Sequence, residues 1–166
     1  IRAIDQYDLE KVIFVPSGNP WQKTVETSFV DRYNMTNLLI DGYRDLEVSS
    51  IEQDNKKETY TVDTLTKLRI PKDELFFILG SDVAVNIETW KNYKKLKYLT
   101  NFLIAPRNNP EEMSLIQQFP FDFQLIDGEE LDISSTKIRD KYKNEESLSS
   151  SIPEKVLDYI EKNNIY

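Results

Sequence analysis

The sequence predicts an α/β fold, a doubly wound parallel sheet with helices on both faces, and three observations carry that expectation. Short apolar runs alternate along the chain with segments of helical period, the order expected of βαβ units. The apolar runs are continuous instead of alternating with polar residues, as strands are when helices cover both faces of their sheet. Start and stop signals fall at the ends of the helical segments.

Taken in order, Ile1 stands inside an amphipathic stretch, IRAIDQYDLEKV, and KVIFVP is the first strand candidate. SFVDRYNMTNLLIDGY then reads as a helix. Ser28 and Asp31 form an S-x-x-D start ahead of Tyr33, Met35, Leu38 and Leu39, and Gly42 stands where a left-handed stop would fall. DLEVSSI is a strand, YTVDTLTKLR a helix, ELFFILG a strand, and the stretch around Trp90 is helical. YLTNFLIAP and FDFQLI complete the strands. Pro153 and Glu154 open the last helix, whose Val156, Leu157 and Ile160 share a face before Asn163 and Asn164 end it. The loosest stretches, RNNPEEM and KNEESLSSS, are too short to be domain linkers, and there is no internal repeat. One domain over residues 1–166 is therefore expected, of a size that buries one ordinary core.

Composition excludes several classes of function. With 29 acidic against 21 basic residues and a formal net charge of -8, a general affinity for nucleic acid or an anionic membrane is not expected. Any anionic ligand must be held by local groups. Cysteine is absent, so neither a disulfide framework nor a thiolate metal site can form, which fits the cytoplasm. The longest apolar runs are strand-sized, far short of a membrane-spanning helix. Histidine is absent too, which removes the commonest general acid, general base and metal ligand, so any catalytic histidine is expected upstream of Ile1.

In an open parallel sheet, ligands gather beyond the carboxyl ends of the strands, and four places there carry chemistry. SGNPWQK follows the first strand, and its Lys23 can meet a phosphate or stand solvated on a surface turn. ETYTVDTL opens a helix with hydroxyls at Thr59, Thr61 and Thr64. That positive helix end suits a carboxylate ligand, unless it is an ordinary threonine cap. After ELFFIL, Gly80 removes side-chain bulk and Asp82 can accept hydrogen bonds from ribose hydroxyls or cap the next helix. Trp90, further on, offers a flat ring for stacking or a filler for the core. In DISSTKIRDKY, Ser135 and Arg139 lie one turn apart on one helix face, uniting hydroxyl, backbone N–H groups and guanidinium. The choice there lies between a polyphosphate cradle and a capped helix with a surface arginine.

VIFVPSGNPWQK, RYNM, YTVDTL, FILGSD with a downstream Trp, ISSTKIR and the closing PEKVLDYIEKNNIY together resemble the bacterial nicotinate mononucleotide adenylyltransferase family, over nearly the whole chain. The resemblance implies a Rossmann-like fold and attack by the phosphate of nicotinate mononucleotide on the α-phosphorus of ATP. Pyrophosphate leaves and deamido-NAD forms, with Mg2+ assisting. It implies that Tyr60, Thr61 and Trp90 hold the nicotinate ring and carboxylate, that Lys23 guides the mononucleotide, and that Gly80 and Asp82 meet the adenosine ribose. Ser135, Thr136 and Arg139 hold the ATP phosphates on the same analogy, Arg139 as the catalytic group, with no residue assigned as a metal ligand. The partners implied are the small molecules ATP and nicotinate mononucleotide, without nucleic acid or membrane, and a homo-oligomer is left open.

The chain departs from the family pattern in places. The family's PPHK reads PWQK here, and its RPG-like segment reads APRNNP, which leaves Arg107 outside the predicted site. The family's first strand and its G-x-F-D-P-x-H-x-x-H motif are not found, so the full polypeptide is expected to carry that segment ahead of Ile1, contributing a central strand. The rival expectations keep the adenylyl half and change the acceptor to nicotinamide mononucleotide or phosphopantetheine, or take the chain as a noncatalytic nucleotide-binding module. A flavodoxin-like carrier fits poorly, because the phosphate-binding residues sit far from the first loop.

Overall fold

A computed structural model describes residues 1–20, 27–53, 57–107, 114–128, 135–144, 146–148 and 151–166. The chain forms two compact units, one of Ile1–Glu10 with Glu58–Glu130 and one of Lys11–Lys57 with Leu131–Tyr166.

The first unit holds α1 (Arg2–Tyr7), α3 (Thr61–Leu68), β3 (Phe76–Gly80), α4 (Ser81–Ala84), β4 (Asn101–Ala105) and β5 (Phe123–Leu125). Its sheet runs β3-β4-β5 with every pairing parallel. Phe102, Leu103 and Ile104 of the middle strand are all buried, which is why YLTNFLIAP carries no alternation: neither face of that strand meets water. Val62 and Leu65 of α3 join Leu79, Phe102, Ile104, Ala84, Ile87, Leu96 and Ile116 in one core. Phe102 is ringed by Phe119 and Phe121, with centroids 5.3 and 5.1 Å away. Buried Thr100 ties the strand starts together, its hydroxyl donating to the Leu75 carbonyl at 3.0 Å. Helix α1 docks on the exit of β5. Gln6 grips Asp127 at both backbone groups, donating to its carbonyl at 2.7 Å and accepting from its N–H at 2.9 Å.

The stretch around Trp90 differs from the expected α-helix. It is two 3₁₀ turns, Ile87–Thr89 and Tyr93–Tyr98, held by i to i+3 bonds such as Trp90 N–H to the Ile87 carbonyl at 3.0 Å. Extended backbone at Trp90 and a left-handed Asn92 (φ 55°) break the helical run between them.

The second unit holds β1 (Val12–Phe14), α2 (Phe29–Ile40), β2 (Leu46–Val48), α5 (Ser135–Lys143) and α6 (Glu154–Asn163). β1 and β2 are parallel, in register from Val12 opposite Leu46 to Phe14 opposite Val48, with α2 as their crossover. The predicted start of α2 is present: Asp31 N–H donates to Ser28 Oγ at 3.1 Å, and the Ser28 hydroxyl donates to the Asp31 carboxylate at 2.6 Å. Asp31 also accepts from the Tyr159 hydroxyl at 3.0 Å, and Asn34 donates to that hydroxyl at 2.9 Å, which seats α6 on α2. An ion pair between Lys155 and Asp41 adds to the seat, and it holds the Asp41 carboxyl below its ordinary value. Val156 and Ile160 of α6 are buried, as their spacing predicts, and Asn164 ends the helix in the left-handed conformation.

Candidate active site

Parallel register builds the centre of the site in the first unit. Gly80 and Ala105 are partners at the ends of β3 and β4, so residues two places beyond each strand come side by side. Those residues are Asp82 and Arg107, whose carboxylate Oδ1 and guanidinium Nε are 3.6 Å apart with both side chains about half exposed. Between them Ser81 is fully buried, and its Oγ accepts a hydrogen bond from the Arg107 N–H at 2.9 Å. That bond aims the chain leaving β4 toward the acidic turn leaving β3. Sequence reasoning placed Gly80 and Asp82 at this rim and set Arg107 aside. The signal that recovers Arg107 is its position: it stands two places after the run NFLIA, as Asp82 stands two places after FFILG.

Gly80 is needed for a close approach. A Cβ on it would lie 2.3 Å from Asp82 Oδ1 and 3.4 Å from Arg107 Nε. The carboxylate therefore folds back over the end of β3, where only a hydrogen leaves room.

Helix α3 starts at Thr61, with Tyr60 as its N-cap and no side-chain cap hydrogen bond. The side chain of Tyr60, at the cap position, makes no capping hydrogen bond to this first turn. The Tyr60 hydroxyl hydrogen-bonds the Glu58 carboxylate, which raises its pKa above the usual phenol value and keeps it neutral. Lys91 Nζ lies 3.8 Å from the centroid of the Tyr60 ring. Trp90 is half-buried, its ring edge-on to Phe77 at 6.1 Å, so part of its surface belongs to the core.

In the second unit, α5 begins at Ser135 within ISSTKIR. Ser135 and Thr136 are exposed on its first turn, and the half-buried Arg139 donates to Thr136 Oγ1 at 3.4 Å. The guanidinium therefore lies back along the helix toward the hydroxyl-bearing start. Lys23 lies outside the described residues, as does Ser134. The exit of β1 is described as far as Pro20, and within it Gly18 N–H donates to Glu52 Oε2 at 2.9 Å.

Residues 1–141 match the cytidylyltransferase-like family, which makes the chain a nucleotidyltransferase. A probable nicotinate-nucleotide adenylyltransferase of Clostridium botulinum is 34% identical over 173 residues, spanning 99% of this chain and 86% of that protein. One of Frankia casuarinae is 38% identical over 165 residues, with 96% and 86% covered. Among solved structures, Plasmodium falciparum nicotinic acid mononucleotide adenylyltransferase complexed with NaAD superposes with a TM-score of 0.75 at 25% identity, covering 95% of this chain and 82% of that one. The fold is thus the Rossmann-like α/β fold of such enzymes. The chain belongs to the nicotinate-nucleotide adenylyltransferase family.

Proposed function

We propose that this protein transfers the adenylyl group of ATP to nicotinate mononucleotide, giving deamido-NAD and pyrophosphate in NAD biosynthesis. The observation that carries the reading is the first turn of α5, where Arg139 reaches toward Thr136 beside Ser135, in a chain that spans 86% of the Clostridium botulinum relative. A phosphate oxygen of the mononucleotide forms a bond to the α-phosphorus as the bond from that phosphorus to the β-phosphate bridging oxygen breaks. Pyrophosphate carries away the electron pair. Such a direct displacement needs no enzyme nucleophile, so the work consists of aligning two anions and neutralising charge on the moving group.

Arg139, Ser135 and Thr136 hold the triphosphate in this reading, Gly80 and Asp82 the adenosine ribose, and Tyr60, Thr61 and Trp90 the nicotinate end, with Lys23 on the mononucleotide. We take residues 1–166 as a single nucleotidyltransferase domain in function. Among the described residues no three acidic groups are placed to hold a metal ion. A magnesium ion carried on the phosphate oxygens of ATP needs no such cluster, and bound there it would neutralise phosphate charge. No residue of this chain is assigned to it. Among the described residues no helix is long and apolar enough to cross a membrane, and we place the enzyme in the cytoplasm.

The start of α3 supports the acid as acceptor. A helix N-terminus attracts the nicotinate carboxylate and gives the neutral amide no charge term, a difference of about 1 kcal/mol or roughly fivefold in kcat/KM. The test is pyrophosphate release by the full-length protein with ATP and magnesium, comparing nicotinate mononucleotide, nicotinamide mononucleotide and phosphopantetheine. The acid is expected to be used best by at least about fivefold; equal use of the amide, or preference for phosphopantetheine, contradicts the assignment.

Gly80→Ala tests the ribose end. Asp82 is half exposed and can swing out to make room, so stability is expected to change by less than about 1 kcal/mol. The displaced carboxylate is expected to raise KM for ATP by roughly tenfold, as loss of a charged hydrogen bond would. Unchanged ATP kinetics in the purified variant would remove Asp82 from the site.

A further inference from the structure

Tyr60 and Trp90, which the proposed reaction assigns to the nicotinate end, share a neighbour that it leaves unused. Lys91 places its ammonium on the face of the Tyr60 ring, with Nζ 3.8 Å from the centroid. The backbone explains how it arrives there. Trp90 is extended (φ -77°, ψ 144°) between the two 3₁₀ turns, and along extended chain successive side chains leave on opposite sides. Trp90 turns in against Phe77 of β3, and Lys91 turns out onto Tyr60.

The surroundings are acidic. Glu58 accepts from the Tyr60 hydroxyl, and Glu88, just ahead of Trp90, accepts from the Tyr93 hydroxyl at 2.9 Å. Those hydrogen bonds are the main reason that both phenols titrate above their ordinary value. Asp63 lies in the first turn of α3, where its charge offsets the positive end of the helix. A carboxylate ligand therefore meets a helix end whose attraction Glu58 and Asp63 weaken. Among the described residues no carboxylate forms an ion pair with Lys91. Its positive charge is held at the ring, with no direct partner to cancel it.

The acid and the amide differ in one feature, a full negative charge in place of a neutral dipole. A group that only stacks on the pyridine ring, such as an indole, binds both alike. A cation at a fixed place separates them, because its attraction for the carboxylate has no counterpart in the amide. The electron-rich face of Tyr60 holds the ammonium without neutralising it, as pairing with a protein carboxylate would.

We propose that Lys91 is a specificity-determining residue for the acceptor, its ammonium on the Tyr60 ring favouring a mononucleotide whose pyridine bears a carboxylate over one bearing the neutral amide. The inference rests on the proposed function, which assigns Tyr60 and Trp90 to the pyridine end of the mononucleotide. Lys91 acts on capture of the acceptor and has no part in the displacement at phosphorus.

The test is pyrophosphate release by full-length wild type, Lys91→Gln, Lys91→Glu and Lys91→Arg. ATP and nicotinate mononucleotide are varied separately, and nicotinamide mononucleotide serves as a competitor of the acid. Lys91 is exposed, so none of the three substitutions is expected to disturb folding. Lys91→Gln is expected to raise KM for the acid roughly 3- to 10-fold, and Lys91→Glu by about 10-fold or more. KM for ATP and Ki for the amide are expected to stay within about threefold in both. Lys91→Arg, which keeps the charge, should lie within about twofold of wild type. An unchanged acid KM in Lys91→Gln overturns the proposal, and so does an equal loss of acid and amide, which marks a lysine that merely packs on Tyr60. Wild type that releases no pyrophosphate from ATP and nicotinate mononucleotide overturns the proposed function, and the inference with it; active wild type beside unaffected variants overturns the inference alone.

Discussion

Arg139→Ala is expected to lower turnover by roughly 30- to 1,000-fold, the consequence of losing about 2–4 kcal/mol of transition-state stabilisation from one charge-assisted contact. At the start of α5 the Arg139 guanidinium reaches back toward Thr136 Oγ1 at 3.4 Å. That bond is long and weak, so it adds little to folding, and the half-buried side chain covers no buried core residue of its own helix. Stability is expected to change by less than about 1 kcal/mol. Activity and stability therefore part company, which is the signature of a group kept for chemistry. Arg139→Lys should recover only part of the loss, because a point charge replaces a planar fork. The measurement is kcat with both substrates saturating, beside a thermal melt of the same preparation. Wild-type turnover in the alanine variant would remove Arg139 from the reaction.

Gly18→Ala carries the largest expected effect on stability. The added methyl would sit 2.2 Å from the Glu52 carbonyl oxygen and 3.2 Å from the Glu52 Cβ. At Gly80 the obstacle is the end of a half-exposed side chain; at Gly18 it is backbone. That backbone is held in place, because Glu52 also accepts the Gly18 N–H and Arg32 takes the Gly18 carbonyl. Relief requires breaking at least one of these bonds or parting the exits of β1 and β2. A loss of roughly 1–3 kcal/mol is expected, with the melting temperature falling about 2–4 °C for each kcal/mol. An unchanged melting temperature would mean that the contact relaxes without resistance.

Much of the fold was legible because it depends on short-range signals. The Ser28 and Asp31 start, the Pro153 opening and the Asn164 stop are local chemistry, and each appears where its residues predict. The apolar run FLIA within YLTNFLIAP correctly announces a strand buried on both faces. Periodicity failed around Trp90, because apolar spacing does not distinguish an α-helix from two 3₁₀ turns broken at a left-handed Asn92.

The position of Gly80 and Asp82 at the end of β3 was readable from their place after an apolar run. The pairing of Asp82 with Arg107 was not, since it depends on strand register across 25 residues of sequence. The contacts of Arg32 with Ser17, Gly18 and Thr27 were invisible for another reason. Its acceptors are main-chain carbonyls, and no residue type advertises a carbonyl.

The ladder between β3 and β4 also bears on how this enzyme can change over time. Gly80 and Ala105 are locked opposite each other by strand pairing, and the neighbouring charges inherit their spacing from that lock. The two 3₁₀ turns of the intervening crossover lie beyond that register, at Ile87–Thr89 and Tyr93–Tyr98. Residues can accordingly be gained or lost on its outer surface at small entropic cost, since closing a longer loop is only slightly harder. Natural length variation among relatives should concentrate there, sparing the rim.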